Sequence, residues 1–481
     1  MADPERAPGQ RSDRQDYDVL VIGSGPAGQS AAICFAKHGR HTAIIEQEHR
    51  IGGACVHKGT IPSKSLRESA LQIAQLRAHH QVLDFSMRED LEISTLMGKL
   101  DRVIGSHVEV NSKQLKKNGV EHIHGRARFL SPNDLEVRMI DGSKLIASAK
   151  TIVIATGSRP RHPPGIPIDH ESILDSDSLL SMIYLPRSLA ILGGGVIACE
   201  YASIFAILGV EVTMIDRFDR PLGFVDEEIV GEYLKRFVSF GGRFIGGRGI
   251  STVQWDGVST VHTLLDDGQS IESEKVLVAL GRVANVETLG LEAAGLGTDT
   301  RGQILVDQVC RTPVEHIYAV GDVIGPPSLA SYSMEQGRRA ALHALGIELG
   351  APAALTPAGI FTIPEIACSG MSETAAREAH GDVLIGRARF SELARAQIAG
   401  SEDGMMKIIA DAEGRKILGV HVVGAGATEL IHLGQFAMIA EAGVDTFIEN
   451  IFNFPSLAEA YRVAALEIVG KKSAARISCP A

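Results

Sequence analysis

The sequence predicts an α/β protein with two Rossmann-like dinucleotide-binding domains and a further C-terminal α+β domain. Three observations carry this prediction. First, residues 17–47 and 187–217 repeat one design: a short apolar run, a glycine turn, a small-residue helix, a second apolar run and an acid. Apolar runs this short, bounded by glycine and alternating with helical stretches, are the pattern of buried parallel strands in βαβ units. Second, 481 residues are too many for one hydrophobic core. Third, the Pro-, Gly- and Ala-bearing stretch 349–359 reads as a linker. Beyond it come strand-like pieces such as MMKIIA and ILGVHVVG.

In chain order, residues 1–15 are polar and read as a disordered tail, and 16–158 form the first part of the first dinucleotide domain. There Gly23-x-Gly25-x-x-Gly28 follows the run VLVI and opens a helix. The first glycine permits the tight turn, the second a close approach to a pyrophosphate, and the third close helix–strand packing. Glu46 stands at the end of the second run, where a carboxylate can accept from a ribose hydroxyl. A helical stretch over about 62–117 follows, then strands ending at TIVIATGSRP (151–160).

Residues 159–281 form the second dinucleotide domain, with the fingerprint Gly193-Gly194-Gly195-Val196-Ile197-Ala198. Alanine in the third place is a permitted variant. The strand-end acid is Asp216, with Arg217 next to it and Arg220 nearby. The acid favours a free 2′-hydroxyl, as in NAD, whereas the arginines suit the 2′-phosphate of NADP or are surface charge. The strand VLVALGR closes this domain at Gly281. Residues 282–354 return to the first domain with the strand HIYAVGD and a helix through Gly337-Arg338-Arg339, and 355–481 form the third domain.

Composition narrows the function. A net charge of −11 offers no basic field for a nucleic-acid backbone. No stretch approaches the roughly 20 apolar residues that span a bilayer, and the N-terminus lacks a signal-peptide core. The six cysteines show no C-x-x-C pair, so neither a disulfide framework nor a metal site is expected, and a reduced, cytoplasmic setting is.

The stretch GGACVHKGTIPSKSLRE (52–68) carries the next step. With Ala155-Thr156-Gly157 and TPVEHIYAVGD (312–322), it resembles the flavoprotein disulfide reductase family, over nearly the whole chain. The resemblance implies FAD in the first site, NAD(H) or NADP(H) in the second, and homodimerisation through the third domain. It also implies that Asp322 holds the flavin's ribityl chain. Thr156, Gly157, Gly193, Gly195, Asp216, Arg217 and Gly281 join Gly23, Gly25, Gly28 and Glu46 as candidate cofactor-binding residues. Lys64 and Glu200 match positions that pair beside flavin N5, where a cation stabilises charge developing on the reduced ring.

Two departures bear on the chemistry. The family's cysteine pair reads Cys55 and Thr60 here, and a threonine hydroxyl is not a redox group. Its C-terminal H-P-T-x-x-E reads Phe454-Pro455-Ser456-Leu457-Ala458-Glu459, and phenylalanine cannot move a proton. Cys55 is either a flavin-adjacent thiol or a buried vestige. One branch of the family also carries G-T-I-P-S-K, and further resembling runs are LDSDSLLSM, CEYASIFA, FTIPEI, LARAQIAG and FNFPSLAEAYRVAAL. That branch generally has tyrosine where Phe454 stands. The resemblance implies ping-pong hydride exchange between nicotinamide nucleotides through FAD, with Lys64, Glu200 and Thr60 as the catalytic set. Val196 replaces the tyrosine that covers the second site in some relatives. A quinone or dye reductase, and a flavin-bound redox sensor of little turnover, stay open.

Overall fold

The run DYDVLVI lies in a ten-residue strand, Asp13–Ile22, in a computed structural model that describes residues 13–78, 96, 98, 100–353 and 355–478. Leu20 and Ile22 enter one apolar cluster and Val19 and Val21 another, and all four are buried. A parallel strand covered on both faces requires this continuous apolar pattern. The strand opens within the stretch expected as a disordered tail, because residues 13–15 pair in parallel with 145–147. The rest of that stretch lies outside the described residues.

The chain divides into two compact units. The first draws on Met1–Pro62, Leu100–Pro160 and Arg282–Gly350. In it Thr42–Glu46 pairs in parallel with Asp13–Ile22, and Glu121–Phe129 pairs in parallel with Thr42–Glu46. Lys144–Ile154 runs along the other edge of Asp13–Ile22. It also pairs antiparallel with Asp134–Met139 and parallel with Ile317–Ala319. Helix Pro26–Lys37 packs on helix Ala330–Ala344 through Ala27, Ala31, Phe35, Ala340 and Ala341, all buried.

The second unit draws on Ser63–Lys99, Arg161–Gly281 and Ala351–Ala481. Its five-stranded parallel sheet has the spatial order Arg243–Ile245, Glu211–Ile215, Ser188–Leu192, Lys275–Val278, Ile173–Asp175. Its C-terminal sheet is antiparallel: Ala358–Ile360, Ile366–Gly370, Ile417–Val423, Met405–Asp411, Val383–Arg389. One cluster joins Tyr201, Phe205, Val230 and Tyr233 to Ile363, Ile366, Met405 and Val423. The segments expected as the second and third domains therefore share a core.

The strands expected at 276–282 and 316–322 form at Lys275–Val278 and Ile317–Ala319. The helical stretch expected over 62–117 appears as Thr60–Ala78 and Leu100–Lys117, and most residues between them lie outside the described set. The first of these starts before Pro62, which sits in the first turn, where its missing N–H leaves no bond unmade. No described helix is long and apolar enough to cross a membrane.

Candidate active site

The two glycine turns are built alike. Gly23 N donates to Ile45 O at 2.8 Å, and Gly193 N to Ile215 O at 2.7 Å. Both have positive φ, 103° and 116°. A Cβ at Gly193 would lie 2.6 Å from Ala279 O, and one at Gly23 would strike Ala155 O. Only glycine satisfies both the dihedral and the approach. Gly25 and Gly195 are the extended N-caps of Pro26–Lys37 and Val196–Leu208, and no side chain caps either helix. A Cβ at Gly25 or Gly195 would meet nothing within 4 Å. Each uncapped helix N-terminus thus has room beside its N-cap glycine, as a pyrophosphate cradle requires, so the residues fit a dinucleotide in each unit. Gly28 packs against Gly23 O and the Ala155 methyl, and Ala198, fully buried, takes the corresponding place in the second turn.

Each strand-end acid is tied to its own turn. Glu46 is buried; its Oε2 accepts from Ser24 N at 2.9 Å and from Ser24 Oγ at 2.6 Å, and its Oε1 from Glu48 N at 2.9 Å. A carboxylate accepting three donors still has lone pairs for a ribose hydroxyl. Asp216 is half-buried. Burial pushes its carboxyl above the usual range, against the backbone amides of Phe218, Arg217 and Gly194 and the Arg217 charge. Arg217 is exposed, its guanidinium 4.7 Å from the Phe218 ring centre, while Arg220 donates to Val225 O and Gly223 O of its own loop.

In the first unit, Thr156 Oγ donates to Asn285 O at 2.8 Å, Asn285 Nδ2 returns a bond to Thr156 O at 2.9 Å, and Asn285 N reaches Gly157 O. Ser158 Oγ donates to Asp322 Oδ2 at 2.7 Å and accepts from Arg282 Nε at 2.8 Å. Asp322 Oδ1 has no protein partner among the described residues, so it is available to a ligand hydroxyl. In the second unit Gly281, at φ 102°, accepts from Arg161 N through its carbonyl.

Lys64 and Glu200, 136 positions apart, meet in the second unit: Lys64 Nζ lies 2.7 Å from Glu200 Oε2. Glu200 is buried and Lys64 about a quarter exposed. Glu200 Oε1 accepts from Phe361 N at 2.9 Å, and the Lys64 ammonium stands 4.9 Å from the Phe361 ring centre. Phe361 begins FTIPEI. That run is pinned by Ser203 Oγ accepting from Ile363 N, by Arg67 Nε donating to Thr362 O and by an Arg67–Glu365 ion pair at 3.1 Å. The ammonium is thus fixed in direction by a carboxylate that cannot itself swing away.

Thr60 opens the helix that carries Lys64 one turn later, and its side chain is exposed. Cys55 is half-buried, and Phe454 is 76% exposed. The first unit gathers Gly23, Gly25, Gly28, Glu46, Thr156, Gly157 and Asp322. The second gathers Lys64, Glu200, Gly193, Gly195, Asp216, Arg217 and Gly281. Sequence reasoning missed Ser24, Ser158, Arg282, Asn285 and the Phe361 amide. Of these only Ser24 had a signal, as the residue between two fingerprint glycines.

Residues 17–337 match the pyridine nucleotide-disulphide oxidoreductase family, and residues 356–465 match the dimerisation domain of the same family. The chain belongs to the pyridine nucleotide-disulphide oxidoreductase family. As a member of that family it is an oxidoreductase enzyme, and the expected fold class and family are borne out. A soluble pyridine nucleotide transhydrogenase of Mycobacterium bovis is 40% identical over 462 residues, 96% of this chain and 98% of the relative. One from Marinobacter nauticus is 42% identical over 455 residues, 94% of this chain and 97% of the relative. Among solved structures, LpdA from Mycobacterium tuberculosis has a TM-score of 0.85 at 28% identity, covering 94% of this chain and 99% of that one. The HOCl-induced flavoprotein disulfide reductase RclA from Escherichia coli matches with the same TM-score at 26% identity and the same coverage.

Proposed function

We propose that the chain is an FAD-dependent NAD(P)+ transhydrogenase, moving hydride from NADPH to NAD+ or the reverse by a ping-pong route. The observation that carries this reading is a fixed Lys64–Glu200 pair in a chain with Thr60 and Phe454 at the thiol and acid/base positions. The chemistry FAD supplies when bound is hydride uptake from one nicotinamide and return to another. Gly23, Gly25, Gly28, Glu46, Thr156, Gly157 and Asp322 hold it. Gly193, Gly195, Asp216, Arg217 and Gly281 hold the nicotinamide nucleotide. By the family resemblance Lys64 would supply a positive charge for the reduced flavin, with Glu200 holding the ammonium in place.

NADPH and NAD+ become NADP+ and NADH with one hydride moved and no net proton. Such an exchange needs position rather than an acid or base, so phenylalanine at 454 is no obstacle. The match to a dimerisation domain, and the apolar side chains of Phe436, Ile451 and Phe454 left exposed in one chain, support a homodimer. The relatives named above are called soluble, and we place the enzyme in the cytoplasm.

The test mixes holoprotein, NADPH and thio-NAD+, with and without a soluble quinone. Thio-NADH is expected to form without quinone. Fast quinone reduction with no thio-NADH would replace this reading with a quinone reductase.

One site must take both nucleotides, and Asp216 and Arg217 divide that task. Arg217→Ala is expected to raise KM for NADPH about tenfold to a hundredfold, the worth of one or two charge-assisted bonds to a 2′-phosphate. KM for NAD+ should change less than threefold, as steady-state kinetics on each nucleotide will show.

A further inference from the structure

Outside the residues assigned above, the second unit holds a cluster of two histidines on one buried carboxylate. Asp175, the last residue of strand Ile173–Asp175, has a side chain only 4% exposed. Its Oδ1 accepts from Ser178 N and Ser178 Oγ, both at 2.8 Å, and from Asp177 N at 3.0 Å. That leaves Oδ2 for His162 Nε2 at 2.9 Å, with His170 Nδ1 at 3.9 Å. Burial opposes ionisation of Asp175, but these donors outweigh it and hold the carboxyl below the usual range. An ionised carboxylate only accepts, so Nε2 of His162 carries a proton, and with that single proton on the ring Nδ1 is an acceptor. Among the described residues Nδ1 has no hydrogen-bond partner, and the His162 side chain is 52% exposed. His170 holds its place at φ 63°, a left-handed conformation that costs a non-glycine residue about 1–2 kcal/mol.

The position of this ring in the sheet gives it a purpose. Arg161 N donates to Gly281 O at 3.0 Å, so His162 follows a residue anchored three positions beyond strand Lys275–Val278. It therefore sits at the carboxyl ends of two neighbouring parallel strands, Lys275–Val278 and Ile173–Asp175. In a doubly wound sheet the ligand lies across those ends, at the point where strand order reverses. Here the order reverses between Ser188–Leu192 and Lys275–Val278. The pyrophosphate cradle, Gly193–Gly195, lies at that point, and the ribose-reading Asp216 lies on the Glu211–Ile215 side. With the adenosine half on that side, the nicotinamide riboside half falls on the other, over Gly281 and Asp175.

We propose that His162, aimed by Asp175, is a binding residue for the nicotinamide riboside half, its Nδ1 accepting from a ribose hydroxyl, with Asp175 as its positioning residue. This rests on the second site being a nicotinamide nucleotide site. It does not depend on which acceptor the flavin reduces.

The experiment uses His162→Gln, because the glutamine amide reaches where Nε2 stands and keeps the bond to Asp175 while removing the outer acceptor. Equilibrium binding of NADH and of AMP to the oxygen-free, FAD-reduced holoenzyme is measured by calorimetry for both proteins. NADH is expected to bind about three- to tenfold more weakly, the range of one neutral hydrogen bond, with AMP unchanged. Unchanged NADH binding overturns the proposal. Equal weakening of NADH and AMP also overturns it, since the ring would then serve only the local structure. Neither result bears on thio-NADH formation, which tests the transhydrogenase reading separately.

Discussion

Lys64→Gln is expected to slow reduction of the bound flavin by NADPH about 10²–10³-fold. That is the usual loss when one preorganised group facing developing charge is removed. Three features make Lys64 preorganised. Its ammonium is 2.7 Å from Glu200 Oε2, Glu200 Oε1 is occupied by the Phe361 amide, and FTIPEI is tied down by Ser203 and Arg67. Little reorganisation is then needed as charge develops. Glutamine still donates to Glu200, so the buried carboxylate keeps a partner and the fold is preserved. Glu200→Gln has one acceptor oxygen for two donors, so it can keep the Phe361 amide but then turns its NH2 toward Lys64 and loses the charge that aims the ammonium. A smaller loss of about tenfold is expected, since the ammonium itself remains. Single-turnover bleaching of the flavin reads both. A structural role alone would not lower the flavin's midpoint potential in Lys64→Gln while leaving KM for NADPH unchanged. A reduction rate within threefold of wild type would remove Lys64 from the chemistry.

The parts of this site that sequence showed are those fixed by local geometry. A glycine at positive φ, a helix opening directly after it and an acid at the next strand end are all set within about 30 residues. Glu46 and Asp216 accordingly lie where the spacing put them. The pairing of Glu200 with Lys64 came from the family resemblance, but its second partner was not legible, because the Phe361 amide is 161 positions away and a backbone N–H has no sequence identity. Asn285 locking Thr156, and Arg282 holding Ser158 against Asp322, depend on chain crossings of 124 to 164 residues. Lys407 left a trace: a lysine inside the apolar run MMKIIA is a buried cation in need of partners. Sequence could raise that question but not say which carboxylates answer it.

Those carboxylates set the last expectation, that Lys407→Met lowers the stability of the second unit by about 3–5 kcal/mol. This is the usual cost of leaving buried charge uncompensated. The Lys407 side chain is 3% exposed, and its Nζ lies 2.9 Å from Asp226, 3.1 Å from Glu228 and 2.8 Å from Glu373. Burial works against all four charges, yet the mutual hydrogen bonds outweigh it. Asp226, Glu228 and Glu373 are held below their ordinary pKa values and Lys407 above its own. Depressed carboxylates give stability that is present above their unfolded values, about 4, and is lost as pH falls through the folded ones. A raised lysine gives stability present below about 10.4 and lost as pH climbs through its folded value. The wild-type advantage should therefore be a plateau from about pH 5 to 10, shrinking on both sides. His421, buried with its pKa pushed down by burial, costs both proteins stability below about pH 6.5 and largely cancels from the difference. Denaturant midpoints of wild type and variant, taken from about pH 3 to beyond the ordinary lysine value of about 10.4, measure this. A deficit that stays flat down to pH 3 would assign the loss to lost packing of the lysine stem rather than to charge. Asp226 also caps helix Glu227–Ser239 through Glu228 N and accepts from Glu373 N. Its carboxylate thus couples the helix and the C-terminal sheet to the same cation, which is why a single substitution at 407 reaches both.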